Sequence, residues 1–404
     1  MNRRVAGRRD FIKGAGGMAA ASVLGTLVGT SARADETRAM SRIELPDWAL
    51  REIDETKSRI DAWRRSGDGH ALFVSITDVH SGLPDISDPI DWSDPKSHVL
   101  IAQEAVRRLG AEALLDLGDA DYQQLVGWRG PKPTPAEADE LIRRRIDAQF
   151  RLYRDFERPV YFCRGNHDRG RTNKEFSAAE FGKFNLLAAG HGHAATLGGE
   201  RTYGYFDVPA KKVRVFFLDT SEIGYYGFSP SQVAFVAKGL EALPDDWTAV
   251  AAGHYCIVNS FGRWVDVGKP LKRAAADGNL RGAVNGDALH ELFVGFVHSE
   301  AGGKGGVKWD FTGRPQRRFA GCLCGDSHFD NLSALDDVCY VVTQGYGGMH
   351  PKAVIPGAFV TRGWDRRRMP LIDVLGIRRV DGLGEANVFR IGAGGAARDR
   401  AWRF

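Results

Sequence analysis

An apolar, β-branched stretch at residues 73–79 constrains the fold most, because it has the composition of a buried strand and ends in polar side chains. Asp78 and His80 stand at its carboxyl end, two positions apart. Side chains two apart on an extended chain point the same way, so this pair can bind one cation. A carboxylate oxygen beside an imidazole nitrogen suits Mn, Fe, Zn or Ni. The pair is a weak signal by itself, and its meaning depends on how later strands end.

Four later strand-like runs end in the same way, with a glycine followed by ligand-type residues. These endings are Gly118-Asp119, Gly165-Asn166-His167-Asp168, Gly253-His254 and Gly325-Asp326-Ser327-His328. Helical patterns separate the first three strands, which is the rhythm of βαβ units and predicts an α/β fold. In such sheets the functional site lies at the carboxyl ends of the strands.

The remaining periodicity predicts further helices and strands. Helices are predicted at 46–65, 97–109, 135–156, 174–189, about 287–294, and from Pro230 to about 240 with Ser229 as its cap. Additional strands are predicted at 213–219, 338–343, 371–380 and 386–391. Residues 259–318 are long, glycine-rich and interrupted. They are interpreted as an insertion, either a substrate lid over the site or a plain surface excursion.

The first 34 residues have the features of an export signal. Arg8 and Arg9 form a twin-arginine pattern, a mildly apolar Gly/Ala-rich run follows, and 32–34 is a small-x-small cleavage site. We therefore expect a signal peptide at 1–34, an extension at 35–70 and one domain at 71–404. The expected partner is the twin-arginine export machinery, and the expected location is periplasmic or secreted. The apolar run is too short and glycine-rich for a stable membrane anchor.

Charge and cysteine usage narrow the class of partner. The formal net charge is +4, but residues 1–34 hold six basic residues and one acidic residue, so the rest is nearly neutral. A nucleic-acid partner is not expected from this balance. The five cysteines, Cys163, Cys256, Cys322, Cys324 and Cys339, fit no zinc motif and are interpreted as small core residues.

Taken together, the five strand endings resemble the calcineurin-like metallophosphoesterase superfamily over about residues 70–345. The resemblance implies a four-layer α/β/β/α sandwich of two mixed sheets, with a two-metal site at the carboxyl-end edge. It implies these ligands: Asp78, His80 and His328 for the first ion, Asn166, His254 and Asp326 for the second, and Asp119 between both. Two divalent ions, Mn, Fe, Zn or Mg, are the implied cofactors.

The resemblance also implies catalytic roles. A water or hydroxide on the metals would attack phosphorus in line, and no covalent enzyme intermediate is required. His167 would not ligate but would face the leaving-group oxygen, with Asp168 orienting its ring. Arg164 precedes Gly-Asn-His, and it either contacts a phosphate oxygen of the substrate or belongs to a structural ion pair.

The sequence departs from the family pattern in the last block, where Asp326 replaces the first histidine of Gly-His-x-His. If Asp326 ligates, the site carries three carboxylates, which favours Mn or Mg over zinc. If it falls short, the second metal site is weaker. Gly190-His191-Gly192-His193 matches the missing pattern by letter, but it follows a helix and precedes His254, so we interpret it as a loop. Tyr122 stands where many members have a second aspartate.

The leading hypothesis is therefore an exported hydrolase of small phosphate mono- or diesters. The alternatives are a protein phosphatase and a non-catalytic, metal-containing binding protein on the same fold. The intact His167-Asp168 pair argues against the binding protein, because an imidazole that binds no metal has little value in a scaffold.

Overall fold

The computed structural model describes the chain in segments. The described residues are 44–65, 68–79, 96–120, 134, 136–137, 152–154, 156–168, 178–185, 195–223, 226–257, 283–315, 318–326, 331–343, 371–392 and 395–404. All of them except residue 44 belong to one unit, Leu45–Phe404.

The described residues form five labelled helices and fifteen strands. The helices are α1 (Asp47–Arg64), α2 (Lys96–Leu109), α3 (Ala178–Asn185), α4 (Pro230–Glu241) and α5 (Gly286–His298). The first seven strands are β1 (Asp68–Ile76), β2 (Ala113–Asp116), β3 (Val160–Phe162), β4 (Ala195–Gly198), β5 (Tyr203–Val208), β6 (Val213–Phe217) and β7 (Thr248–Ala252). The others are β8 (Ala301–Lys304), β9 (Val307–Asp310), β10 (Arg318–Cys324), β11 (Asn331–Leu335), β12 (Val338–Val342), β13 (Leu371–Val380), β14 (Leu383–Gly392) and β15 (Arg400–Arg403).

Two large sheets contain most of these strands. The first has the order β15-β14-β13-β1-β2-β3, and the second has the order β11-β12-β10-β7-β6-β5-β4. Strands β1, β2 and β3 run parallel, as do β6, β7, β10 and β12, while the outer strands pair antiparallel. Both sheets are therefore mixed. In each sheet the central strands are parallel, so their carboxyl ends lie at the same edge of that sheet.

The inner faces of the two sheets pack against each other. One core cluster joins Phe73, Leu115 and Tyr161 of the first sheet to side chains of β5, β6, β7 and β10 in the second. Tyr161 stacks on Phe206 across this interface, with ring centroids 3.8 Å apart. Burial of these aromatic faces stabilises the sandwich, since apolar area removed from water contributes roughly 25 cal/mol per Å².

Helices cover both outer faces and complete four layers. Helices α4 and α5 pack on the second sheet, where Phe293 stacks on Phe319 of β10 at 4.5 Å. Helix α1 packs on β14 of the first sheet through Trp63 and Phe389, and α2 lies against β1. The order is therefore helix, sheet, sheet, helix, as the resemblance implied.

Most of the predicted elements that fall on described residues are confirmed. The Ser229 hydroxyl accepts a hydrogen bond from the Gln232 N–H at 3.0 Å and caps α4, which starts at Pro230. The first strand, however, ends at Ile76, before Asp78, whose backbone is left-handed. The prediction that Asp78 lies on an extended strand is therefore wrong, because the backbone leaves the strand before this residue. Most of the predicted helix at 135–156 lies outside the described residues.

Several antiparallel strands were not predicted, namely β4, β5, β8, β9, β11 and β15. Strand β8 has four exposed residues and no apolar alternation, so only its pairing with β9 defines it. Residues 286–298 form α5, whose Leu289, Phe293 and Phe296 are buried in the core. This part of the predicted insertion at 259–318 therefore belongs to the outer helical layer on the second sheet. Residues 259–282 lie outside the described residues.

None of the helices among the described residues is both long enough and apolar enough to cross a membrane.

Candidate metal centre

The candidate site lies at the edge where the parallel strands of both sheets end. Asp78 follows β1, Asp119 follows β2 and Asn166 follows β3, all in the first sheet. His254 follows β7 and Asp326 follows β10 in the second sheet. Backbone hydrogen bonds continue past the strands, for example from Asp78 N–H to Gly118 C=O at 2.8 Å, so the segments that carry the candidate ligands remain joined to the sheets.

All three aspartates of the site have left-handed backbone conformations. The φ angles are +52° at Asp78, +53° at Asp119 and +62° at Asp326. Aspartate tolerates this region better than most residues, but the conformation persists only where its surroundings impose it. The shared geometry turns each chain sharply after its strand and directs the carboxylates to one place.

Close backbone contacts explain two of the glycines. A Cβ atom on Gly325 would lie 1.9 Å from Thr77 Oγ1 and 3.0 Å from Asp78 Oδ2. A Cβ atom on Gly165 would lie 2.2 Å from Asp119 Oδ1. Only glycine allows these loops to approach the carboxylates so closely.

His254 is the centre of the cluster. Its Nδ1 atom lies 3.0 Å from the Leu117 carbonyl oxygen, which can only accept, so Nδ1 carries the hydrogen. The Nε2 atom then faces four oxygens: Asp119 Oδ2 at 3.1 Å, Asn166 Oδ1 at 3.2 Å, Asp326 Oδ1 at 3.6 Å and Asp78 Oδ1 at 4.0 Å. A histidine anchored at one nitrogen with oxygens around the other is typical of a metal ligand.

The donor set fits a divalent cation. Ligand atoms of Asp78, Asp119 and His254 lie within 4.8 Å of one another, and all three residues are buried. Burial raises the pKa of Asp119 to about 8. Burial disfavours charge on His254, but Asp119 and Asp78 outweigh it and raise the pKa of the imidazole well above its usual value. Such a concentration of buried carboxylates calls for positive charge, which a metal ion would supply.

His167 lies beside this cluster. Its backbone N–H donates to Asp119 Oδ1 at 2.8 Å, and its ring Nε2 lies 3.8 Å from Asp119 Oδ2. The side chain is 20% exposed, unlike the fully buried His254. The ring is therefore both close to the carboxylates and accessible from solvent.

Asp168 has backbone partners on two loops. Its Oδ2 accepts the N–H groups of Asp119 and Gly165, both at 2.8 Å, and its Oδ1 accepts the Ala120 N–H at 3.0 Å. The expectation that Asp168 orients the ring of His167 stays a prediction.

Comparison with known families gives a match to the segment that holds most of these residues. The family model for calcineurin-like phosphoesterases matches residues 71–262, which include Asp78, Asp119, Asn166, His167 and His254. Residues 71–262 therefore resemble the calcineurin-like phosphoesterases. The matched segment runs from β1 past β7, and Asp326 lies beyond it.

Solved structures with a similar fold were also found. One is a dimetal phosphatase from Danio rerio, with 12% identity, a TM-score of 0.45, and coverage of 83% of this chain and 99% of that one. Another is a purple acid phosphatase from yellow lupin seeds, with 11% identity, a TM-score of 0.44, and coverage of 82% and 53%. A third is GAP50 of Plasmodium, described as the anchor in the inner membrane complex, with 10% identity, a TM-score of 0.42, and coverage of 83% and 88%. A comparison with curated proteins gave no match.

Arg164, which also lies in the matched segment, forms a buried ion pair. Its Nε lies 3.0 Å from Asp219 Oδ1 and its Nη2 lies 2.8 Å from Asp219 Oδ2, so the contact is bidentate. Nη2 also donates to the Ser221 carbonyl at 3.0 Å. These contacts are those expected if Arg164 belongs to a structural ion pair. A contact between Arg164 and a phosphate oxygen of the substrate stays a prediction. Sequence reasoning missed Asp219 as the partner, although its place after β6 was visible.

Several residues singled out in the sequence lie outside the residues that the structure describes. These are His80, His328, Tyr122, His191 and His193. The role of His80 and His328 as ligands of the first metal ion therefore stays a prediction.

Proposed function

We propose that this protein is a metal-dependent hydrolase of phosphate mono- or diesters. The proposal depends on one observation: four side-chain oxygens surround Nε2 of His254 at distances between 3.1 and 4.0 Å. Imidazole nitrogen with carboxylate and amide oxygen is a ligand set for Mn, Fe or Zn. The family match over residues 71–262 supports the same class of reaction.

Asp78, Asp119 and His254 would hold a divalent ion, and Asn166 and Asp326 are close enough to contribute to the same centre. When bound, divalent ions supply positive charge that offsets the anionic phosphate and promotes ionisation of water at neutral pH. The third carboxylate, from Asp326, makes Mn or Mg the favoured ions under this proposal.

His167 would act on the leaving group. Its imidazole is partly exposed and lies next to Asp119, so a substrate that enters from solvent can contact both the centre and this ring. A protonated imidazole in this place can give its proton to the departing alkoxide oxygen. The hydrogen bond from the His167 backbone N–H to the Asp119 carboxylate would keep the imidazole beside the centre.

The proposal is tested with the full chain loaded with Mn²⁺. Hydrolysis of p-nitrophenyl phosphate and of its bis ester would be measured for the wild type, His254→Ala and His167→Ala, together with metal content. We expect His254→Ala to lose both metal and activity. We expect His167→Ala to keep its metal and to lose activity, about 10²–10⁴-fold for a general acid.

The same experiment separates the binding-protein alternative. A wild-type protein that binds Mn²⁺ at this site but hydrolyses neither ester would favour a non-catalytic scaffold. A protein that binds no metal when Mn²⁺ is supplied would contradict the proposal entirely.

We further propose that the protein is exported through the twin-arginine pathway. The support is the Arg8-Arg9 pair and the small residues at 32–34. Replacing both arginines by lysine is expected to keep the protein inside the cell, and amino-terminal sequencing of the exported form is expected to begin at Asp35. Unchanged export of the lysine variant would contradict this proposal.

A further inference from the structure

The carboxylate of Asp168 links two ligand-bearing loops. It is buried, with 4% of the residue exposed, and it accepts three backbone N–H groups. Two of them belong to Asp119 and Ala120, in the turn after β2, and the third belongs to Gly165, in the turn after β3. Backbone N–H groups that donate to a carboxylate form charge-assisted hydrogen bonds, which are stronger than bonds between neutral groups.

The link is reciprocal. Asp168, in the loop after β3, accepts the N–H of Asp119 at 2.8 Å, while Asp119 accepts the N–H of His167 at 2.8 Å. Two aspartates therefore brace two loops against each other. We call this set of hydrogen bonds the brace. It includes bonds to the backbone and side chain of Asp119, whose φ is +53°, and a bond to Gly165, the residue before the candidate ligand Asn166.

We infer that Asp168 is a positioning residue that sets the placement of Asp119 and Asn166 at the metal centre. This inference rests on the proposed function, because it assigns Asp168 a role in that same site. It differs from a role through His167, in which Asp168 would orient the imidazole. Two of the three backbone contacts, from Asp119 and Ala120, lie at the left-handed turn itself, and the third, from Gly165, directly precedes Asn166.

An aspartate suits this place for a specific reason. Both of its oxygens are acceptors, and they meet three donors. Asparagine has almost the same shape but only one acceptor oxygen, and its amide group would face a backbone N–H. Asp168→Asn therefore breaks part of the brace without creating a cavity.

The primary experiment measures metal affinity, which needs no substrate. The full chain would be stripped with a chelator and titrated with Mn²⁺ by calorimetry, as wild type and as Asp168→Asn. We expect Asp168→Asn to bind Mn²⁺ at least ~10-fold more weakly, the lower end of the loss seen when residues that orient metal ligands are changed.

A second measurement separates the two possible roles of Asp168. Hydrolysis of p-nitrophenyl phosphate, which has a good leaving group, would be compared with that of phenyl phosphate, which has a poor one. A positioning residue lowers both rates by the same factor when the metal is below saturation. Loss of proton donation affects mainly the poor leaving group, which is the pattern expected for His167→Ala.

The inference is overturned if Asp168→Asn binds Mn²⁺ as tightly as the wild type and loses only the reaction with phenyl phosphate. Asp168 would then act through His167. If neither ester is hydrolysed even by the wild type, the proposed function fails, but the Mn²⁺ titration still decides the role of Asp168.

Control variants exclude a general loss of stability. Glu385 accepts hydrogen bonds from Trp63 and Arg378 near the hairpin between β13 and β14, at the opposite edge of the first sheet. Glu385→Gln is expected to lower the unfolding temperature and leave Mn²⁺ affinity unchanged. If Asp168→Asn does not fold, Asp168→Glu, which keeps both acceptor oxygens, replaces it in the experiment. We expect Asp168→Glu to lose less Mn²⁺ affinity than Asp168→Asn and to lower the rates with both esters by the same factor.

Discussion

Asp326 is the residue at which this chain departs most clearly from the calcineurin-like phosphoesterase pattern that it resembles. Its backbone N–H donates to Asp78 Oδ2 at 3.0 Å, and its Oδ1 lies 3.6 Å from His254 Nε2. The side chain is 13% exposed, so it lines the open side of the cluster. The structure thus brings Asp326 to the same place as the buried candidate ligands Asp78, Asp119 and His254.

We predict that Asp326→Ala lowers Mn²⁺ affinity by about 10–100-fold, since the loss of a ligand should cost at least as much as the loss of an orienting residue. Asp326→His replaces a hard oxygen by a nitrogen and should raise the bound Zn:Mn ratio when both metals compete. Elemental analysis after equilibrium loading measures both effects. Unchanged metal content in Asp326→Ala would refute the role as a ligand.

Gly325 offers a second prediction at the level of single atoms. The Cβ atom of Gly325→Ala would overlap Thr77 Oγ1, whose hydroxyl donates to Asp78 Oδ2 at 2.8 Å. We expect a loss of about 1–3 kcal/mol in the free energy of unfolding and weaker Mn²⁺ binding, because Asp78 must move. Urea unfolding and Mn²⁺ titration test this prediction.

The control for Gly325→Ala is Gly382→Ala, in the turn between β13 and β14. A Cβ atom there meets nothing within 4 Å, although φ is +81°. This variant should lose about 1 kcal/mol from the strained backbone and keep its Mn²⁺ affinity. Equal metal binding by the two variants would show that space at Gly325 does not matter to the site.

At the scale of elements, a buried ion pair joins the ends of β3 and β6. Arg164 follows β3, Asp219 follows β6, and both side chains are buried. Gln232 of α4 also contacts the Asp219 backbone, accepting its N–H at 2.9 Å and donating to its carbonyl at 3.0 Å. The pair thus connects the first sheet, the second sheet and an outer helix.

We predict that Asp219→Asn and Arg164→Gln each lower the free energy of unfolding by about 3–5 kcal/mol, because each leaves a buried group without its charged partner. The double variant should lose much less than the sum of the two. Denaturant unfolding of the four proteins tests the coupling. If Arg164 instead contacts substrate, Arg164→Gln would keep its stability and raise KM for the ester.

At the scale of the whole molecule, the candidate metal centre forms only because two sheets face each other. Asp78, Asp119 and Asn166 come from the first sheet, and His254 and Asp326 come from the second. The hydrogen bond from His254 Nδ1 to Leu117 C=O crosses between the sheets. An ion bound there would therefore connect the two halves of the sandwich.

We predict that Mn²⁺ stabilises the folded chain by about 2.7 kcal/mol at 100 times its Kd, because the ion binds the folded state only. Thermal unfolding with and without Mn²⁺ measures the shift, and a chelator should reverse it. His254→Ala should show no shift. A similar shift in His254→Ala would place the bound Mn²⁺ elsewhere.

This stabilisation should grow as pH rises from 6 to 8. Burial raises the pKa of Asp119 to about 8, and, despite the burial of His254, the carboxylates of Asp119 and Asp78 raise the pKa of its imidazole, so the metal-free folded pair retains protons that the unfolded chain has already lost. Metal-free stability therefore falls as pH rises toward 8, whereas Mn²⁺ binds the deprotonated ligands. The difference between the two forms is expected to be largest near pH 8.

The sequence alone determined the α/β class and most candidate site residues, because their signals are local. Apolar runs followed by glycine and ligand-type residues mark the ends at Asp119, Asn166, His254 and Asp326 without any knowledge of packing. Ser229 and Pro230 likewise mark the start of α4 through local hydrogen bonding. The antiparallel strands lacked such signals, since pairing with neighbouring strands defines them.

Only the tertiary structure decided which partners hold the site in place. The contacts of Arg164 with Asp219 and of His254 with Leu117 join residues 55 and 137 positions apart. Nothing in the local sequence specifies such a distant partner. The brace made by Asp168 depends in the same way on two loops meeting at the edge of the sheets. Long-range packing therefore turned a series of strand endings into one centre, because it alone brings their carboxylates and imidazole within range of one ion.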